Sequence, residues 1–143
     1  MKLKSRLLKN EDWDTLCKWW ESWPDWVNPP KTFLPDNGKG GLMVEKNGRP
    51  ICAGFLYMTN SDAVLLEWIV SDPEYRDKDR KDAIKLLISS AENLCKNLGK
   101  VHMFSIGRNK HLSIGRNKHL INTHKELGWT VDESPSHELI KNI

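Results

Sequence analysis

Glu67 is the residue whose type and setting most invite chemistry. It stands between Leu66 and Trp68 in an otherwise apolar segment, Ala63–Ser71. A carboxylate on a covered strand faces a cleft or has a partner, and a desolvated carboxylate holds its proton more tightly. Proton transfer and a structural ion pair are therefore both open to it. Just downstream, Arg76, Lys78, Arg80 and Lys81 could bind phosphate through charge-assisted hydrogen bonds. Aspartates at 77, 79 and 82 dilute that patch, which argues against nucleic acid. His124 is of a type that donates a proton near neutral pH. Five of the seven tryptophans (Trp13, Trp19, Trp20, Trp23, Trp26) crowd into one short stretch. Most such clusters are core, but Trp19, Trp23 and Trp26 lie off or beyond the helical stripe. With Glu21 and Asp25 they could hold a cationic amine by cation–π contact and charge. His111, His119, His124 and His137 make no metal-ligand spacing, so no metal site is expected. Gly38-Lys39-Gly40-Gly41 lacks the strand–loop–helix frame of a phosphate-binding loop.

The elements that must position these residues read as follows. Residues 2–8 alternate as a first strand, and Asn10 can cap the helix that follows. Trp13, Leu16, Cys17 and Trp20 form one apolar helical stripe ended by Pro24. Residues 24–40, rich in proline, read as a loop with a short helical turn. Leu42–Lys46 and Ile51–Met58 are strands joined by Asn47-Gly48, the strongest short hairpin signal. Ala63–Ser71 is the next strand, stopped by Asp72-Pro73. A helix with Asp79 at its cap then runs to Gly99. Val101–Ile106 is a strand, 117–127 a helix stopped by Gly128, and 129–133 and 137–140 two last strands. The order predicts an α/β fold, a single domain over 1–143 with a mixed, mostly antiparallel sheet flanked by helices.

The chain has 143 residues, 38% of them hydrophobic and 29% charged, enough to bury a core without metal or disulfide. Its apolar runs fall short of a membrane span and no secretory leader opens it, so no membrane partner is expected. Three widely spaced cysteines, Cys17, Cys52 and Cys95, read as reduced thiols in a cytoplasmic protein. One feature is out of the ordinary: SIGRNKHL occurs at 105–112 and again at 113–120. Two short copies cannot build a solenoid, so the repeat reads as an insertion into an ordinary domain. An irregular, mobile excursion over about 107–116 is expected, because Gly115 and a displacement of about two helical turns oppose a seamless helix.

Two segments carry a family resemblance. Glu67-Trp-Ile-Val-Ser-Asp-Pro-Glu-Tyr-Arg76, followed by a long helix, resembles the fourth strand and pyrophosphate loop of the GNAT superfamily of acetyl-CoA-dependent N-acetyltransferases. Asn117-Lys-His-Leu-Ile-Asn-Thr-His124-Lys-Glu-Leu-Gly128-Trp129 is similar to that family's N-x-x-A-x-x-x-Y-x-x-x-G-F pattern, in register throughout. The resemblance implies acetyl transfer from acetyl-CoA, as co-substrate, to the primary amine of a small molecule or peptide. Glu67 would take the amine proton, and His124, standing where the family commonly has tyrosine, would protonate the departing thiolate. The backbone of Ile69, Val70 and Ser71 would bind pantetheine. Arg76, Lys78, Asp79, Arg80 and Lys81 would form the pyrophosphate loop, and Asn117 the start of the matching helix. Trp19, Trp23 and Trp26 lie where the acceptor would sit.

The sequence departs from the family pattern at three places. Asp79 and Lys81 stand where the loop glycines belong, and a capping Asp79 would compete with phosphate for the same N–H groups. His124 replaces tyrosine. The duplication falls between the fifth strand and the helix bearing Asn117. A scaffold that has lost catalysis and serves as a binding or assembly module is therefore the rival reading, and a homodimer is left open.

Asn117 and His124 hold the family register to Gly128 from the second copy, so the first copy is the excess. Deleting 105–112 or 113–120 leaves one and the same shortened sequence. That chain should fold with equal or greater stability, measured by thermal unfolding; failure to fold would mean that both copies belong to the structure.

Overall fold

A computed structural model describes residues 2–24, 26–106, 114–132, 139 and 141, the side chains of 114–118 excepted. The chain divides into two compact units, 1–105 and 106–143.

In the first unit, five strands lie in chain order: β1 (Leu3–Leu7), β2 (Gly41–Lys46), β3 (Arg49–Met58), β4 (Ala63–Ser71) and β5 (His102–Phe104). Every neighbouring pair is antiparallel except β4–β5, which is parallel. The β2–β3 hairpin turns on Asn47 and Gly48, at φ +53° and +77°, the left-handed pair that a two-residue turn demands. At Gly41 the strands approach so closely that a Cβ would overlap the Gly54 carbonyl. The glycine-rich stretch is therefore a packing feature.

Helix α1 (Trp13–Ser22) and helix α2 (Arg80–Asn97) cover opposite faces of the sheet. On one face, Leu16, Trp19 and Trp20 of α1 pack with Met43, Ala53, Phe55 and Val70. A side chain at Gly54, between Ala53 and Phe55, would instead meet Leu66, Ile69 and Leu87 of α2. Strand alternation accounts for the difference. Gly99, at φ +82°, follows α2, and the Lys100 N–H returns to the Cys95 carbonyl at 3.0 Å. Of the three free thiols, Cys52 and Cys95 are buried.

Asn10 does not cap α1. It opens a 3-10 turn, Asn10–Asp12, and Asp12 accepts the Lys9 N–H at 3.0 Å. The same carboxylate receives two hydrogen bonds from Arg6, both at 2.8 Å, and Arg6 also reaches Glu45 at 2.9 Å. This cluster ties β1, β2 and the entry to α1. The residues between α1 and β2 form two 3-10 turns, Lys31–Phe33 and Pro35–Gly38.

In the second unit, helix α3 runs Ile114–Glu126. It begins earlier than residue 117 and takes Gly115 and Arg116 into its first turn, correcting the expected excursion at 114–116. Helix propagation costs only the glycine's modest penalty once the following turns form. Residues 107–113 lie outside the described residues. Trp129–Asp132 make no strand, and most of the expected 137–140 strand is not described. Among the described residues, no helix is long and apolar enough to cross a membrane.

Burial works to raise the Asp12 pKa, but the hydrogen bonds from Arg6 and Lys9 win and hold it below the usual carboxylate value. Its stabilising contribution is therefore complete above the unfolded carboxylate pKa and is lost as pH falls through the lower folded value. Asp12→Asn should cost about 2 kcal/mol near neutral pH, since a mostly buried ion pair loses one charge. Urea titrations should show the gap to wild type narrowing by about pH 3.

Candidate active site

Strand β4 owes its shape to one bulge. Ala53 faces Val70 and Phe55 faces Glu67, so the single residue Gly54 stands opposite both Trp68 and Ile69. Trp68 has φ +57°, in the left-handed region where a bulky residue is rare. Its ring is held at 6.0 Å by each of Trp20, Trp26 and Phe33, all edge-to-face. The extra residue breaks the alternation. Glu67 shares the α1 face with its cross-strand partner Phe55, and Trp68 points to that same face against Trp20. Two consecutive side chains, a carboxylate and an indole, thus stand together on one face. Glu67 is only 7% exposed.

The other edge of β4 is largely open. Its ladder with β5 covers only Ala63–Leu65, paired with His102–Phe104. Beyond Leu65, β4 has no strand partner on that side among the described residues. The Asp72 N–H bonds back to Ile51 of β3 at 2.8 Å. By strand alternation the N–H and C=O of Ser71 therefore point to the open side.

The loop from β4 to α2 carries the cationic cluster. Arg76, Lys78 and Lys81 are exposed, whereas Arg80 is half-buried. Asp79 does occupy the N-cap position of α2, but its side chain makes no cap hydrogen bond. This corrects the expected competition for helix N–H groups. Its carboxylate instead accepts Lys46 Nζ at 2.7 Å and the Tyr75 hydroxyl at 2.6 Å. Those two hydrogen bonds, Lys46 first, hold Asp79 below the usual carboxylate value. Arg49 pairs with Asp72 at 3.2 Å and lies 5.1 Å from the Tyr75 ring centre. The β2–β3 hairpin is thus fastened to the loop by two ion pairs, Lys46–Asp79 and Arg49–Asp72.

The tryptophans separate. Trp19, expected to lie off the helical stripe, is a core residue at 6% exposure. Trp26 joins the group around Trp68. Trp23 packs against the same core, but its indole N–H donates to the Ser71 carbonyl at 2.8 Å, and Arg80 lies over its ring at 5.6 Å. Phe33 and Trp68 were not singled out from sequence. The aromatic content around Glu67 was visible there, but the bulge that aims Trp68 was not.

In the second unit, His124 is buried, and its Nδ1–H donates to the Leu120 carbonyl at 2.8 Å. The other ring nitrogen, Nε2, is buried. Trp129 packs edge-on at 4.6 Å. The Trp129 N–H returns to the His124 carbonyl at 3.0 Å across Gly128, at φ +89°, closing α3. Asn117 lies on α3, its side chain outside the described residues. Among the described residues, no three His, Cys, Asp or Glu side chains gather as a metal site would require.

No family model and no curated protein matches the chain. Solved structures do match. The ribosomal-protein-S18-alanine N-acetyltransferase of Escherichia coli superposes with a TM-score of 0.65 at 14% identity, over 89% of this chain and 77% of its own. AAC(6')-Iy, solved with a CoA-linked bisubstrate analogue, gives 0.66 at 19% identity over 99% and 100%. The PaiA N-acetyltransferase of Thermoplasma acidophilum, solved with coenzyme A, gives 0.65 at 16% identity over 94% of each chain. The architecture is the GNAT acetyltransferase fold.

Tyr75 offers a spectroscopic check on the loop. Its hydrogen bond to Asp79, and then its burial, push the phenol up to about 12. A phenol raised in the folded state stabilises fully below its unfolded pKa, and that contribution fades as pH rises through the folded value. Absorbance titration of tyrosinate should show a late step near 12 that Tyr75→Phe removes.

Proposed function

We propose that the chain is an N-acetyltransferase that moves the acetyl group of acetyl-CoA to a primary amine by direct attack. The observation that carries this reading is β4 itself: an open strand edge on one side and a nearly buried glutamate beside an aromatic wall on one face. An extended arm bearing amides can add to such an edge as a strand does. The complexes of AAC(6')-Iy and PaiA with coenzyme A or its analogue lend this further support.

In this reading the backbone of Ile69, Val70 and Ser71 receives the pantetheine arm. Arg76, Lys78, Arg80 and Lys81 attract the diphosphate, and Asp79, neutralised by Lys46, fixes the loop instead of repelling the ligand. Trp26, Phe33 and Trp68 wall the acceptor slot. Glu67 takes the proton of the incoming ammonium, directly or through water. The amine lone pair attacks the thioester carbonyl carbon, the N–C bond forms and the C–S bond breaks. The departing thiolate takes the second proton of the attacking nitrogen, relayed by way of His124 Nε2, and Asn117 lies in the first turns of that helix. The reading takes residues 1–143 as a single functional domain and assigns no role to a metal.

Calorimetry with acetyl-CoA is the decisive experiment. Binding should weaken markedly from low to high salt, because exposed cations carry the diphosphate. Glu67→Gln should lower kcat for an amine acceptor about a hundredfold with unchanged thermal stability, the scale of a lost general base. Asp79 and Lys81 at the glycine positions favour the second reading, an inactive binding module. Undetectable acetyl-CoA binding would select it.

A further inference from the structure

Helix α1 ends at Ser22, and Trp23 follows as its C-cap in an extended conformation, φ −91° and ψ 133°. That turn sends the indole to β4, where its N–H meets the Ser71 carbonyl at 2.8 Å. Arg80, the first residue of α2, donates to Ser71 Oγ at 2.8 Å and covers the Trp23 ring. The end of α1 and the start of α2 therefore close on one residue at the open edge of β4. Of the four loop cations, Arg80 alone is turned inward; Arg76, Lys78 and Lys81 are exposed.

We propose that Trp23 and Arg80 form a latch over the coenzyme edge, which an acyl-CoA opens by taking the Ser71 carbonyl from Trp23 and drawing Arg80 to its diphosphate. The inference rests on the acetyl-CoA reading above and adds the residues that decide which ligands enter. An edge strand with an unfilled carbonyl is a template for unwanted pairing, and an indole N–H fills it at little cost. A ligand amide N–H can replace that donor one for one, so the exchange is nearly balanced in hydrogen bonds. The balance tips when Arg80 exchanges a neutral hydroxyl and an indole face for a doubly charged diphosphate. Free pantetheine, which lacks the diphosphate, supplies the amides without that gain. The latch thus discriminates for the nucleotide-bearing form of the arm.

Trp23→Phe keeps an aromatic ring beneath Arg80 and removes the indole N–H with its five-membered ring. Calorimetry should show this variant binding acetyl-CoA about three- to tenfold tighter than wild type, the range of one neutral hydrogen bond. Pantetheine should gain by a similar factor. In the wild type, the assigned indole N–H resonance of Trp23 should shift on saturation with acetyl-CoA, a readout that needs no variant to fold. Equal or weaker binding by Trp23→Phe, or a Trp23 resonance unmoved at saturation, would overturn the latch and leave the acetyl-CoA reading standing. An absence of binding by both wild type and variant would overturn both.

Discussion

Everything at the candidate site depends on Trp68 holding a backbone angle that tryptophan disfavours. A bulge of this kind ordinarily puts glycine in the left-handed position, and a bulky residue there costs about 1–3 kcal/mol. The ring recovers the cost by packing against Trp20, Trp26 and Phe33. The strain and the aromatic cluster are two sides of one arrangement. Without the bulge, Trp68 would turn to the α2 face, into the space of Leu66, Ile69 and Leu87. Val70 would follow it out of register, and Glu67 would stand on its face without the indole beside it. The glycine needed here sits across the ladder, at Gly54, where one residue faces two and a Cβ would press on three side chains.

A second constraint is how the β4–α2 loop keeps its shape with charged residues, Asp79 and Lys81, where α2 begins. Glycines would let the backbone approach a phosphate directly. Here Lys46, Arg49, Asp72, Tyr75 and Asp79 hold the loop against the β2–β3 hairpin through side-chain contacts. Charge-held loops respond to ionic strength where glycine-shaped ones respond little. The carboxylate that looks hostile to phosphate is matched by a lysine from another strand, so the net charge facing a ligand remains positive.

What was legible in the sequence followed the range of the interactions. The Asn47-Gly48 hairpin, the stop at Asp72-Pro73 and the end of α2 at Gly99 are local, and local residues announce them. The N-cap position of Asp79 was equally legible, but the partner of its carboxylate was not, because Lys46 lies far off in the chain. Trp19 was misplaced for a related reason: α1 buries a broader stripe than its strongest spacing suggests, since the sheet wraps more of it. The bulge left no trace, because Trp68 in a left-handed conformation is the opposite of a glycine signal. Glu67 was found because a charge in an apolar strand is conspicuous whatever surrounds it. The start of α3 was missed because Gly115 reads as a breaker, while the turns that follow make it a tolerated first-turn residue.

The two sides of β4 make different physical demands, and the short reach of β5 satisfies both. On its β3 side β4 is paired along nearly its whole length, which fixes the placement of Glu67 and Trp68. On its β5 side the parallel ladder covers only three residues, so backbone groups farther along must find other partners. Trp23 supplies one from α1, the same helix whose Trp20 packs against Trp68. The aromatic group around Trp68 and the open edge of β4 are thus connected through α1 and the turn that ends it.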